Sequence, residues 1–471
     1  METKRTLCNG GHLMNRLMLI CAPVTSRSGY GAHSRDLVES LLDMNKFDIK
    51  ILDVRWGDCP RNALEGKESR NKKIKECIIA SNAPLSKQPD IYIDIRIPHE
   101  FQQIGKFNIG ITAGVETNAV SGKWLEFCNK MDLVIVPSEH SKAGFTKSVY
   151  DALQQQPDGS QQKVGELKLE KPIEVLFEGA DEDIYKPLDT KDIPEEFFGW
   201  LNDVAPEKFA FLLVGQWGKG NFGEDRKNIG LTIKTFYEAF ANKKKQPSLI
   251  LKVNGANFSI IDKEECLTKI KHIKSLFPKD WKLPNVYLFH GDLTDEEMNY
   301  LYNHSKIKGM ISLTHGEGFG RPLLEASMTG LPIIASGWSG HLDFLNKDES
   351  MLLSGELKEV PKSMIWEDVI ISQSKWFSVD ANHAYNSFIH FTQRYQEMKR
   401  NARILMDTNR DKFTLKKMTS KFEEILDRYL KNAPQQVSLN LPKLKKVSKN
   451  EKPTNKLKLP KLKKIDGGRV I

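Results

Sequence analysis

No stretch of this chain approaches the roughly 20 consecutive apolar residues that a membrane-spanning helix needs. The apolar run at 17–24 is too short, and no small-residue cleavage site follows it, so neither a span nor a signal peptide is expected. Cysteine is sparse and scattered. The six thiols, Cys8, Cys21, Cys59, Cys77, Cys128 and Cys266, include no CxxC pair. That spacing argues against a zinc site or a disulfide framework and for a reducing compartment, the cytoplasm. Charge surplus is missing from most of the chain. The net charge is +9, but residues 433–471 hold eleven Lys and Arg against only Glu451 and Asp466. The remaining 432 residues are therefore close to neutral, which speaks against a nucleic-acid-binding body.

What is present is the composition of a soluble globular protein, 39% hydrophobic and 28% charged, long enough for two domains. Short apolar runs recur at 16–24, 47–54, 91–95, 107–113, 133–136 and 173–177, and again at 209–214, 248–254, 285–289, 308–314, 331–336 and 351–354. Helix-like or irregular segments separate them. Strands alternating with crossovers predict α/β architecture with mostly parallel sheets and helices on both faces. Ligands of such sheets bind beyond the carboxyl ends of the strands. Thr294 with Glu297 predicts a capping box for a helix at 295–303. Two long helices are expected near 380–403 and 412–431.

The most informative stretch is 308–344, KGMISLTHGEGFGRPLLEASMTGLPIIASGWSGHLDF. It reads as strand, glycine turn, helix, strand. Gly316, Gly318 and Gly320 let backbone approach a ligand closely. Pro322 suits the first turn of a helix, and Gly330 its end. A helix start offers unpaired N–H groups and the positive end of a dipole, which suits phosphate. Glu317 in the turn and Glu325 in the helix have seven residues between them. Carboxylates beside an anion site make sense when they accept hydrogen bonds from hydroxyls. The ligand implied has a phosphate centre with hydroxyl-rich groups on either side, as a sugar nucleotide has.

This wording resembles the Glu-x7-Glu signature of retaining glycosyltransferases of the GT-B fold, glycosyltransferase family four. The resemblance is strongest at 308–344 and extends over roughly 16–431. It implies two doubly wound, Rossmann-like α/β domains facing each other across a cleft. The first would span 1–195 on the acceptor side, with a polar surface-loop insertion near 154–171. The second, at 207–410, would bind the nucleotide sugar. A last helix at 411–432 would cross back to the first domain, and 433–471 would form a disordered basic tail.

The resemblance also implies roles for residues. Glu317, Lys227 and Glu325 are the candidate catalytic residues, with Glu317 on the sugar hydroxyls and Glu325 on the ribose. Gly29, Gly31, Arg226, Lys227, Gly318, Phe319 and Gly320 would bind the donor diphosphate. His290 and Gly291 lie where the family places the base, and Glu116 is the candidate acceptor-side residue. Gln216 stands where the family has a basic residue. His33 and Arg35, at the start of a predicted helix, are expected at the surface. Asp181-Glu182-Asp183 matches a metal motif of another fold, but resembles this family's turn before the interdomain linker, so no metal is expected. No cofactor is expected either; the donor is a substrate. The partners are a nucleoside diphosphate sugar and an unidentified hydroxyl acceptor.

The tail repeats Leu-Pro-Lys-Leu-Lys-Lys at 441–446 and 459–464. It suits an anionic membrane surface, including attachment at its inner face, or nucleic acid, or serves only as a solubiliser. Readings from other classes are a non-catalytic nucleotide-sugar-binding or scaffold subunit, and a GT-B-like phosphorylase or epimerase.

Overall fold

A computed structural model describes residues 16–65, 69–156, 160–431 and 433. The tail from 434 on lies outside them, and with it the disorder and the partners expected there. The first half contains β1 (Arg16–Ala22), α1 (Gly29–Met44), β2 (Phe47–Asp53), α2 (Ser69–Cys77), β3 (Ile91–Ile95), β4 (Phe107–Ile111), α3 (Gly122–Cys128), β5 (Leu133–Val136) and α4 (Glu139–Lys147). A pair of strands, β6 (Tyr150–Gln155) and β7 (Gln161–Leu167), precedes β8 (Ile173–Val175). One all-parallel sheet results, in the order β2-β1-β3-β4-β5-β8. Both faces are covered, which is why its strands read as unbroken apolar runs. Along β1, Met18, Ile20 and Ala22 enter one core while Leu19 and Cys21 enter another, the two-residue period of a strand.

After α5 (Glu195–Val204) the second half repeats the plan. It runs β9 (Ala210–Gln216), α6 (Ile229–Phe240), β10 (Ser248–Asn254), α7 (Ile260–Ser275), β11 (Val286–Phe289), α8 (Asp295–Asn303), β12 (Ile307–Ser312), α9 (Arg321–Met328), β13 (Ile333–Ser336) and β14 (Met351–Leu353). Its parallel sheet has the order β11-β10-β9-β12-β13-β14. The winding direction reverses between β9 and β12, so the ligand crevice of this half opens above those two strands. The chain closes with an antiparallel pair, β15 (Gly355–Glu359) and β16 (Lys375–Val379), then α10 (Ala381–Gln393), α11 (Tyr395–Lys412) and α12 (Leu415–Leu430). The fold class is the expected one: two doubly wound, Rossmann-like α/β halves.

Two expectations are corrected, and one element is new. The segment near 154–171 is not an irregular loop. Residues 154–155 and 161–167 pair within β6 and β7, an antiparallel ribbon that is largely exposed, its β7 strand reading QQKVGEL with few apolar side chains to bury. The single helix expected near 380–403 is two, broken at Arg394 (φ −111°, ψ 24°) with no Gly or Pro to mark the break. The β15–β16 arm was not anticipated. It reaches the first half, where Asn118 N donates to Lys375 O (2.9 Å) and Lys375 N donates to Asn118 Oδ1 (2.7 Å). Lys123 pairs with Asp368 at 2.6 Å on the same contact.

The capping box forms: Glu297 N donates to Thr294 Oγ1 at 3.2 Å and Thr294 N to Glu297 Oε2 at 2.8 Å. Gly330 takes φ +76°, the left-handed place beyond a helix end. α12 lies on α1 of the first half. Ser40 Oγ and Thr419 Oγ1 are 2.8 Å apart, Lys46 pairs with Glu423 at 2.7 Å, and Arg16 donates to Leu430 O at 3.2 Å. Met418, Phe422, Ile425 and Leu426 join Leu37, Val38 and Leu41 in one apolar core. Phe422→Ala should therefore lower stability by about 3–5 kcal/mol. Denaturant unfolding checks this, and a loss below about 1 kcal/mol would mean that α12 is not integral to the first half.

Candidate active site

The site forms where the loops after β9 and β12 leave the sheet. They are tied together by main chain: His315 N donates to Arg226 O at 2.8 Å, and Thr314 Oγ1 to the same oxygen at 3.2 Å. Asn228, at φ 53°, turns the first loop into α6, and buried Asp225 accepts from Ile229 N at 3.1 Å. Arg226 and Lys227 are thereby aimed at the glycine turn. The stem of Lys227 passes over Gly215, where a Cβ would already touch it at 3.5 Å.

Lys227 Nζ lies 2.5 Å from Glu317 Oε1, and Arg226 NH1 lies 3.3 Å from Oε2. Arg226 also donates to Gly316 O at 3.0 Å. Glu317 is buried, and burial alone would raise its pKa. Lys227 and Arg226 outweigh it and hold the carboxyl at about 2. Burial pushes the Lys227 ammonium below its ordinary value against the pull of Glu317. Glu317 N donates to Ser339 Oγ at 2.9 Å, and Ser339 holds φ 87° to reach it. His341, fully buried beneath, is driven toward its neutral form by burial.

Glu325, one turn into α9, is also buried. Its Oε1 accepts from Arg321 Nε at 2.8 Å and its Oε2 from Tyr302 OH at 3.2 Å. Burial raises its carboxyl to about 7 despite Arg321. Glu178 is raised to about 7 by the same cause.

The turn's glycines do something the sequence did not foretell. A Cβ on Gly316 would stand 2.0 Å from Glu116 O, and one on Gly318 2.0 Å from Ala113 O. The turn thus packs on the main chain of the first half. Ser138 Oγ donates to Gly318 O at 2.6 Å, closing the same contact. Gly320 takes φ +97° and starts α9; buried Phe319 packs on Phe344 with ring centroids 5.0 Å apart. Glu116 faces the second half, with Oε1 3.7 Å from Arg226 Nε.

Across the cleft, Ser28 caps α1, its Oγ accepting from Gly31 N at 3.0 Å. Gly31 has no room for a Cβ, which would meet Ser26 O at 2.1 Å, whereas Gly29 has open space. Neighbouring Arg27 pairs with Asp292 at 2.8 Å, so this turn stands against the His290–Gly291 loop. His290 itself is committed to Asp262, Nε2 to Oδ2 at 2.7 Å, and Lys252 Nζ donates to Gly291 O at 2.7 Å. That loop offers a ligand its edges and backbone rather than a free imidazole. Gln216 is exposed at the end of β9.

His33 is not at the surface. It is 1% exposed, and burial lowers its pKa to about 4. Arg35 is half-buried and donates to Val24 O (3.1 Å) and Ser26 O (2.9 Å), pinning the β1–α1 loop. Arg321 of the second half lies near both, and Asp295 near Arg35, so this end of α1 faces the other half rather than solvent. Asp181-Glu182-Asp183 is spent on local bonds: Asp183 N donates to Asp181 Oδ1 at 2.9 Å, and Lys416 pairs with Glu182 at 2.9 Å. Among the described residues no group of three or more His, Cys, Asp or Glu is placed to hold a metal ion.

Sequence reasoning missed Arg321, Asp36 and Ser339. Only Arg321 carried a signal, its four-residue helical spacing from Glu325. The others meet through chain crossings that no local pattern records.

Residues 226–372, which contain Arg226, Lys227, Glu317 and Glu325, match the family described as Glycosyl transferases group 1. The chain thus carries a glycosyltransferase domain, and the protein is an enzyme of that class. Solved structures share its fold at low identity. One is Anabaena Alr3699/HepE in complex with UDP-glucose, at 14% identity and TM-score 0.55, covering 87% of this chain and 99% of that one. A second is sucrose-phosphate synthase (tll1590) from Thermosynechococcus elongatus, at 12% identity and TM-score 0.56, covering 88% and 99%. A third is a glycosyltransferase from Rickettsia africae ESF-5, at 14% identity and TM-score 0.54, covering 89% and 99%. The fold is GT-B. No protein of curated function matches the chain in sequence.

Two outcomes follow from this geometry. Gly318→Ala should cost about 1–3 kcal/mol by pushing the halves apart, while Gly29→Ala should be near neutral; thermal melts of both compare them. The second concerns pH. Glu178 holds its proton to about 7 when folded but to only 4.5 ordinarily. The folded state therefore binds more protons across that window, and stability falls as pH rises through it. Glu317 acts oppositely: its contribution is present above 4.5 and is lost as pH falls toward about 2. Glu178→Gln should flatten the decline in Tm between about pH 5 and 7; an unchanged slope would show that Glu178 is not the group responsible.

Proposed function

We propose that the protein is a retaining glycosyltransferase that moves a sugar from a nucleoside diphosphate sugar to an acceptor hydroxyl, without a divalent metal. The observation that carries this reading is the convergence of Glu317, Lys227 and Arg226 above the reversal point of the second sheet. The UDP-glucose complex of a protein with the same fold supports the donor class.

In this reading the diphosphate lies between Gly29 and Gly31 on one side and the turn of Gly318, Phe319 and Gly320 on the other. As the glycosidic bond breaks, the sugar becomes oxocarbenium-like and negative charge grows on the diphosphate. Lys227 and Arg226 are already fixed where that charge develops, so little reorganisation accompanies the reaction. Glu317 holds the sugar hydroxyls and draws both cations toward the leaving group. Glu325 takes the ribose hydroxyls. The His290–Gly291 loop receives the base, and Glu116 stands on the acceptor side. The acceptor attacks the face that the leaving group vacates, and a donor phosphate oxygen takes its proton. Contact between the halves excludes water, which would otherwise compete with the acceptor.

The tail's eleven basic residues suit an anionic surface, membrane or nucleic acid.

The test begins with a thermal-shift screen of UDP-, GDP- and ADP-sugars. A donor at about 100 times its dissociation constant adds about 2.7 kcal/mol. With the donor found, Lys227→Ala should lose on the order of 100-fold in kcat, and Glu325→Ala most transfer activity, while both variants stay folded. Transfer should continue in EDTA. Loss of activity restored by manganese would overturn the metal-free mechanism, and sugar isomerisation without transfer would overturn the reaction class.

A further inference from the structure

One guanidinium joins the two halves beside Glu325. Arg321 directs Nε at Glu325 Oε1, one helical turn away at 2.8 Å. Its NH1 donates to Asp36 Oδ2 on α1, in the other half. The second oxygen of Asp36 accepts from Arg70, which also pairs with Glu39 at 2.9 Å. Asp36 is 3% exposed and Arg321 15%. Removing either partner of so desolvated a pair strands the other. A planar fork can serve two carboxylates at once, which an ammonium on a flexible stem does less well.

The carboxylate at the far end is not saturated. An ionised carboxylate offers about four lone-pair sites. Arg321 takes one on Oε1 and Tyr302 one on Oε2. Two remain, the number that a vicinal diol needs.

We propose that Arg321 is a positioning residue for donor binding. Anchored on Asp36, it holds Glu325 with its remaining lone pairs turned to the ribose 2′ and 3′ hydroxyls, and it does so while α1 and α9 face each other. The carboxylate's orientation is thus set from the opposite half of the molecule. This rests on the reading of Glu325 as the ribose carboxylate.

The experiment compares two ligands. Of UDP, GDP and ADP, the one that wild type binds tightest is paired with its 2′-deoxy counterpart, and both are titrated calorimetrically. Wild type should prefer the ribonucleotide by about tenfold or more, the loss expected for a hydrogen bond to a charged acceptor. Glu325→Ala should abolish the preference. Asp36→Asn and Arg321→Lys should bring the ratio to within about threefold of one, with deoxynucleotide affinity little changed; either variant carries the test where the other fails to fold. A preference kept in both variants but lost in Glu325→Ala overturns the proposal and leaves the ribose assignment standing. Equal loss for both ligands makes Arg321 a mere strut and overturns it too. A wild type with no preference, or one that binds no nucleotide, removes the role of Glu325 and the proposal with it.

Discussion

The structure depends on keeping carboxylates ionised where water is scarce. Glu317 is buried, yet Lys227 and Arg226 keep it charged. Asp36, fully enclosed, has a pKa of about 2: burial works to raise it, and Arg321 and Arg70 reverse that. The cations that serve Glu317 and Asp36 come from other elements than those acids, so these ion pairs cannot form until the sheets are wound and the loops seated. Burying such pairs is no gain over an apolar core. What it provides is a fixed field in the crevice, oriented before any ligand arrives. Glu178 and Glu325, which are driven upward instead, show what the same burial does where cationic support is weaker.

Close main-chain contact is the second constraint. Gly316 and Gly318 touch the carbonyls of Glu116 and Ala113, and Gly340 would bring a Cβ within 2.0 Å of Gly318 O. The loop that carries Glu317 is therefore clamped between β13's following turn and the first half. Its geometry belongs to neither half alone. The same glycines that suit a phosphate cradle are the ones that let two domains meet without intervening side chains. A sequence pattern cannot separate these two uses, because both require only the absence of a Cβ.

Much of the fold was legible. Strands buried on both faces announce themselves as apolar runs, and their centres were placed well. Their ends were not: 24, 113 and 177 lie in loops, since an apolar residue just past a strand can still be buried. The β6–β7 pair escaped because it carries few apolar residues, and the β15–β16 arm because strands of five residues give too short a pattern to read. At the site, Glu317, Glu325 and Lys227 stood out through a glycine turn and a fixed spacing. Asp36 and Ser339 did not, because nothing near them in the chain records a partner 285 positions away, as with Asp36 and Arg321, or a strained φ. His33 and Arg35 were misplaced for the same reason: Arg321, near both, and Asp295, near Arg35, come from the second half of the chain.

That placement of α12 bears on how the molecule is made. During synthesis the first sheet emerges early, with Leu37, Val38 and Leu41 of α1 in search of a cover. The residues that supply it, Met418 to Leu426, leave the ribosome only after the second half has been translated. At about 5–20 residues per second, the nascent first half waits tens of seconds with an apolar stripe open to chaperones or to its own neighbours.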